Sequence, residues 1–277
     1  MHKILTIDYQ SQNFGSDFTT SLKNTGFAVI KNHPISSQLI NDIYGEWETF
    51  FHSEAKHNYL FDPIKQDGYF PYLSENAKGR KIKDLKEFYH IYNWGRYPSE
   101  ISDNTNNLIS EFKNMASKFL SDIDQYSPNS IKDLYSMPLN EMITSSNQNL
   151  LRIIHYPPLK GEENPEAIRA GAHEDINLIT LLVAGSEAGL QVLSKEGDWV
   201  DVSTSPEYIV VNIGDMLQEC SSGYYPSTTH RVINPSNNNM ARYSMPFFVH
   251  ARDEVKLSEK HTAKSYLEER LKEIGLK

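Results

Sequence analysis

His173-Glu174-Asp175, a downstream His230 and the run Arg242-Tyr243-Ser244 are the residues whose types and spacing could do chemistry. In an extended strand, residues i and i+2 point to the same face. His173 and Asp175 would then aim at one point, with Glu174 turned away. His230, from a distant strand, would complete a face of two histidines and one carboxylate. That ligand set leaves positions open on Fe(II), which oxygen chemistry needs. Arg242 offers a planar fork matched to a carboxylate, and Ser244 would add a hydroxyl on the same face. A lone His-x-Asp is a weak signal in a chain with 10 histidines. His52-Ser53-Glu54 is a comparable triplet that reads as a solvated helix end. The weight lies in the ordered set, and in flanks that look like strands.

These side chains need a scaffold, and the chain changes period to supply one. Phe18 and Leu22 mark a first short helix. Leu39, Ile40, Ile43, Trp47, Phe50 and Phe51 recur at helical spacing, so 37–56 reads as an amphipathic helix. Leu108 to Ile123 repeats the pattern. Both stripes are expected to pack against a sheet. Between them, 61–99 reads as irregular and aromatic, with Lys86 and Arg96 as surface charges. From Leu150 the pattern becomes short strands: 150–156, 177–183, 189–193, 199–202, 208–213, 230–233 and 242–249. Gly, Pro, Asn and Ser clusters separate them. Many short strands in one run predict a sandwich or jelly roll. Tyr266, Leu267, Leu271 and Ile274 mark a C-terminal helix capped at Thr262.

Composition bounds the partners. The formal net charge is −9 over 277 residues. Non-specific nucleic-acid binding needs a basic surface, so it is not expected. No apolar run approaches a membrane span, and the first residues do not form a signal peptide. Cys220 is the single cysteine. It excludes an internal disulfide, reads as a small buried residue, and fits a cytoplasmic protein.

Taken in order, the motifs resemble the isopenicillin N synthase-like branch of the Fe(II)/2-oxoglutarate-dependent oxygenases. The resemblance covers most of the chain. It runs through Gly26–His33, Phe50-Phe51, Lys83–Glu87, Tyr156-Pro157-Pro158, Ala172–Asp175 with Leu178–Leu182, Gly189–Val192, Asn212–Asp215, Ser227–Val232 and Arg242–Phe248. It departs at Ile154, where plant members carry Asn, at Asn177, where many relatives have Gly, and at Cys220. None of these is a candidate metal ligand.

The resemblance implies a mainly β fold with flanking helices around a double-stranded β-helix (jelly-roll) core at 150–250. A mixed helical region at 1–125 and a C-terminal helix within 251–277 would pack on that core as one catalytic unit. It implies Fe(II) on His173, Asp175 and His230. It places 2-oxoglutarate, the cosubstrate used with O2, on Arg242 and Ser244 with Tyr156 near by. The substrate is then expected to be a small organic molecule. Aromatics commonly line such pockets, and Tyr69, Phe70, Tyr89, Asn177 and Phe248 are the candidate pocket residues. Two alternatives stay open: an iron oxidase of the same fold that needs no 2-oxoglutarate, and a non-catalytic binding or sensing protein.

Overall fold

The helical half comes first. The computed structural model describes residues 3–273 except 77–80, 184, 204, 206 and 236–238, so Ile274 of the last helix lies outside the described residues. Strand β1 (Thr6–Asp8), helix α1 (Phe14–Thr25) and strand β2 (Phe27–Lys31) lead into α2 (Ser37–His52). Strands β3 (Gly68–Phe70) and β4 (Glu87–Tyr92) precede the long α3 (Asn104–Tyr126) and two short helices, α4 (Asn129–Lys132) and α5 (Leu139–Met142). The strand-rich half runs β5 (Leu150–Tyr156), β6 (Ala170–His173), β7 (Ile179–Val183), β8 (Leu190–Leu193), β9 (Trp199–Asp201) and β10 (Ile209–Ile213). Helix α6 (Asp215–Cys220), β11 (His230–Val232), β12 (Arg242–Val249) and α7 (Ala263–Glu273) complete the chain.

The strands form two sheets. The larger has the order β1-β2-β10-β7-β12-β5-β4-β3, and the smaller β6-β11-β8-β9. Period-two alternation divides the larger sheet into two apolar faces. One carries Leu151, Ile153, Leu181, Val183, Val211, Met245 and Phe247 and packs on the stripes of α1, α2 and α3. The other carries Phe88, Ile154, Tyr156, Leu182 and Val210 and faces Leu190, Val192 and Val232 of the smaller sheet. This is the mainly β, jelly-roll architecture that the strand run implied, with helices on one side.

Three local expectations change. The stripe read as a helix over 37–56 ends at His52. Ser53 is extended, its hydroxyl bonds the Phe50 carbonyl, and a separate 3-10 turn follows at Glu54–Tyr59. The segment 61–99 is not wholly irregular, because β3 and β4 extend the larger sheet beyond β5. Lys86 is buried rather than a surface charge. It pairs with Glu75 at 2.7 Å and Asp84 at 3.0 Å. Arg96 pairs with Asp67 at 3.1 Å. The Thr262 cap forms as expected, its hydroxyl accepting the Ser265 backbone N–H at 3.2 Å. Among the described residues no helix is long and apolar enough to cross a membrane.

Candidate active site

His173 and His230 are direct cross-strand partners on β6 and β11. Their rings lie 4.4 Å apart between centroids. Strand β6 stops at His173, so Asp175 sits in the following loop rather than in an extended strand. Its position comes from other contacts. The first amides of α6 hold the loop: Asp215 N–H donates to the Asp175 carbonyl at 2.7 Å, and Met216 N–H to that of Ile176 at 3.1 Å. Gly214 permits this approach, since a Cβ there would lie 2.1 Å from the Asn177 carbonyl oxygen. Glu174 points outward and accepts the Thr229 hydroxyl.

Each of the three side chains has one end tied down and one end left over. His173 Nδ1 lies 2.7 Å from the Gly171 carbonyl, and His230 Nδ1 lies 3.2 Å from that of Thr228. A carbonyl only accepts, so each Nδ1 carries a proton, and Nε2 is the ring atom left to face a metal. Asp175 Oδ2 accepts the Thr180 hydroxyl at 2.6 Å and the Asn212 amide at 2.8 Å. Thr180 and Asn212 are themselves cross-strand neighbours on β7 and β10. Oδ1 is left facing the two histidines, 3.9 Å from His173 Nε2 and 3.8 Å from His230 Nε2. The three ligand atoms lie within 4.8 Å of one another. One ion with bonds of ~2.0–2.2 Å could reach all three after small side-chain rotations.

Electrostatics favour a cation there. Burial pushes the Asp175 carboxyl upward, but His230, His173 and the two hydrogen bonds outweigh it and hold it below the usual range. Burial, then His230, pushes the His173 imidazole down to about 4. Its side chain remains 37% exposed, so water tempers that shift. Both groups therefore rest in the form that binds metal: carboxylate and neutral imidazole.

Arg242 and Ser244 alternate onto the inner face of β12, and Arg242 lies directly opposite Tyr156 on β5. The guanidinium is fully buried and stands 5.2 Å from the Tyr156 ring centre. Its Nε donates to the Glu187 carbonyl at 3.0 Å, while both terminal nitrogens lack a partner among the described residues. Gly185 lies flat against it, and a Cβ there would come within 2.5 Å of a terminal nitrogen. A buried donor pair without an acceptor is costly, and it suits the far carboxylate of a dicarboxylate ligand.

The pocket expectations divide by sheet face. Phe70 is on the inner face, stacked between Phe61 and Phe88 at 4.3 and 4.5 Å. Phe248 is also on that face, half-buried, 5.5 Å from the Arg152 guanidinium. Tyr69 and Tyr89 are corrected: they point to the opposite face. There Tyr69 packs on Phe51 and bonds Glu87, and Tyr89 packs on Trp47 and Phe50. Asn177 is corrected as well. It is fully buried, and its amide donates to the Ile179 carbonyl at 2.7 Å and to Thr180 at 3.1 Å. It steadies the hydroxyl that holds Asp175 and does not line a pocket.

Sequence reasoning missed several residues. Thr180 and Asn212 clamp the carboxylate. Asp84 accepts the Gly171 N–H, and Arg169 is buried four residues before His173. For Arg169 a signal existed, because 169, 171 and 173 share strand parity.

Comparison with known proteins agrees with this geometry. The 2OG-Fe(II) oxygenase superfamily profile matches residues 147–251, and that of the non-haem dioxygenase in morphine synthesis N-terminal region matches 4–113. A solved chain from Shewanella oneidensis, described as a candidate oxygenase, is 49% identical over 99% of each chain, with a TM-score of 0.90. This chain belongs to the 2OG-Fe(II) oxygenase superfamily. A 2-oxoglutarate-Fe(II) type oxidoreductase of Aspergillus fumigatus is 29% identical, covering 81% of this chain and 72% of that one. A full-length Neurospora crassa protein, solved in complex with alpha-KG, is 25% identical over 97% of this chain and 96% of its own, with a TM-score of 0.80. The same Neurospora protein has been solved with 5-formyluracil beside alpha-KG. The oxygenase described here is a dioxygenase that uses Fe(II), 2-oxoglutarate and O2.

Proposed function

We propose that His173, Asp175 and His230 hold the Fe(II), that Arg242 and Ser244 seat the far carboxylate of 2-oxoglutarate beside Tyr156, and that the substrate is a small organic molecule. Bound Fe(II) with 2-oxoglutarate and O2 supplies the oxidising chemistry, in which 2-oxoglutarate becomes succinate and CO2 while a substrate C–H bond is oxidised. The chain's own part is position and exclusion of water. One observation carries the reading. Every outward-facing polar atom of the triad is bonded to protein, and the three that remain are two Nε2 atoms and one carboxylate oxygen within 4.8 Å.

A small-molecule substrate is supported by the acidic balance and by Phe70, Phe88 and Phe248 on the inner face near Arg152. The single buried cysteine fits a cytoplasmic enzyme. The test is O2 uptake and succinate release by the Fe(II)-loaded protein across a panel of small metabolites, with and without 2-oxoglutarate. Uptake that requires 2-oxoglutarate and rises with a small molecule is the expected result. Uptake without 2-oxoglutarate would establish the iron-oxidase alternative. Succinate release driven only by a macromolecule would overturn the substrate class.

A further inference from the structure

We propose that Arg169 is a second cationic anchor beside Arg242, and that the pair makes this site select a 2-oxo acid bearing a far carboxylate over one that lacks it. The proposal rests on the cosubstrate site assigned above to Arg242. Arg169 is 1% exposed and Arg242 0%. Their guanidinium carbons stand 6.0 and 5.2 Å from the same Tyr156 ring centre. Arg169 precedes β6, on the parity of Gly171 and His173. One terminal nitrogen donates to the Met240 carbonyl, and its Nε has no partner among the described residues. With the two terminal nitrogens of Arg242, that leaves three buried donor atoms without acceptors among the described residues.

The contrast with the other buried cations of the same interior is informative. Lys86 and Arg152 are neutralised by Glu75 and Asp84. Among the described residues no carboxylate makes an ion pair with Arg169 or Arg242. Glu187 acts on Arg169 only through space. Burial, followed by repulsion from Arg242, lowers the Arg169 pKa. Two neighbouring guanidiniums without a counter-ion are expensive in a dry interior. An anion with several acceptor oxygens relieves both at once. The metal end of the ligand is the 2-oxo acid, so the group that reaches this pair is a carboxylate at the other end.

The experiment measures binding by calorimetry to Mn(II)-loaded protein, using 2-oxoglutarate and the monoacid 2-oxobutanoate. Wild type, Arg169→Gln, Arg169→Lys and Arg242→Gln are compared. In Arg169→Gln, 2-oxoglutarate affinity is expected to fall roughly tenfold to hundredfold, while 2-oxobutanoate binding stays unchanged. Arg169→Lys should restore most of the preference. Glutarate, which cannot chelate, should raise the Tm of metal-free wild type more than that of Arg169→Gln. If the Gln variant does not fold, Arg169→Met makes the same comparison. An unchanged ratio, or an equal fall for both acids, overturns the proposal. If Arg242→Gln alone abolishes the preference, Arg169 is structural and the cosubstrate reading stands. If wild type shows no preference, that reading fails as well.

Discussion

Asp84 accepts the backbone N–H of Gly171 at 3.0 Å, and so ties the 61–99 segment to the strand that presents His173. The Gly171 carbonyl in turn holds His173 Nδ1. Lys86 bonds the other Asp84 oxygen, and Glu75 joins Lys86 to Arg152. The strand that carries His173 is thus anchored to a buried, charge-balanced network 87 residues away in sequence.

Asp84→Ala should therefore loosen the metal site without touching a ligand. It leaves a buried N–H without an acceptor and Lys86 with one partner fewer, at a cost of about 1–3 kcal/mol. Contacts that orient a metal ligand commonly contribute ~10–100-fold in metal affinity. Mn(II) titration together with chemical denaturation checks both numbers. Full metal affinity in a folded Asp84→Ala protein would show that Gly171 is held by the sheet alone.

Thr180→Val removes the 2.6 Å hydrogen bond to Asp175 Oδ2 and keeps the side-chain volume. Asn212 still donates to that oxygen at 2.8 Å. The carboxylate loses one of two restraints, so metal affinity should drop about tenfold, with a stability loss below ~2 kcal/mol. Asp175→Ala, which deletes the ligand atom itself, should abolish turnover. A Thr180→Val protein that binds metal as tightly as wild type would mean that Asn212 alone fixes the carboxylate.

The triad was legible because its signals are local or repeated: His173 and Asp175 two residues apart, and His230 at the head of a short strand. Even so, Asp175 reaches its place through the amides of α6 and the clamp of Thr180 and Asn212, not through strand geometry. Tyr69 and Tyr89 were misassigned for a physical reason. Both faces of β3 and β4 are buried, so their sequences lack the apolar-polar alternation that would reveal which face looks inward. Asn177 was unreadable because a buried amide and a pocket amide look alike until their partners are known. The Asp84–Lys86–Glu75–Arg152 network joins residues far apart in the chain, and nothing local announces it.

Acid should destabilise the fold through the buried His90 and the half-buried His250. His90 accepts the Arg152 Nε–H on Nε2 at 2.8 Å, so protonation there would break that bond. Burial, then Arg152, holds its pKa well below 6.5. Burial pushes His250 down to about 4. Below pH 6.5 the unfolded chain binds protons that these folded imidazoles refuse. Stability is therefore fully present above pH 6.5 and is lost as pH falls toward 4, at up to ~1.4 kcal/mol per pH unit for each histidine. Urea denaturation at pH 7, 6 and 5 reads the slope. His90→Gln, whose amide oxygen can still accept from Arg152, should flatten it. A slope that does not change on that substitution would remove His90 as a source.

Arg242→Lys keeps a positive charge opposite Tyr156 but loses the planar fork and the Nε bond to the Glu187 carbonyl. A lysine ammonium can point at a carboxylate oxygen, but it cannot present two parallel donors to both. The 2-oxoglutarate affinity should therefore fall by roughly tenfold to hundredfold. Metal affinity should change little, because among the described residues no hydrogen bond or ion pair links Arg242 to the triad. Calorimetric titration of the variant with Mn(II), then with 2-oxoglutarate, separates the two effects. The residual affinity should remain above that of Arg242→Gln, since the introduced ammonium keeps a positive charge at that position. If 2-oxoglutarate binds the lysine variant as it binds wild type, the fork serves the Glu187 loop and the cosubstrate is seated elsewhere.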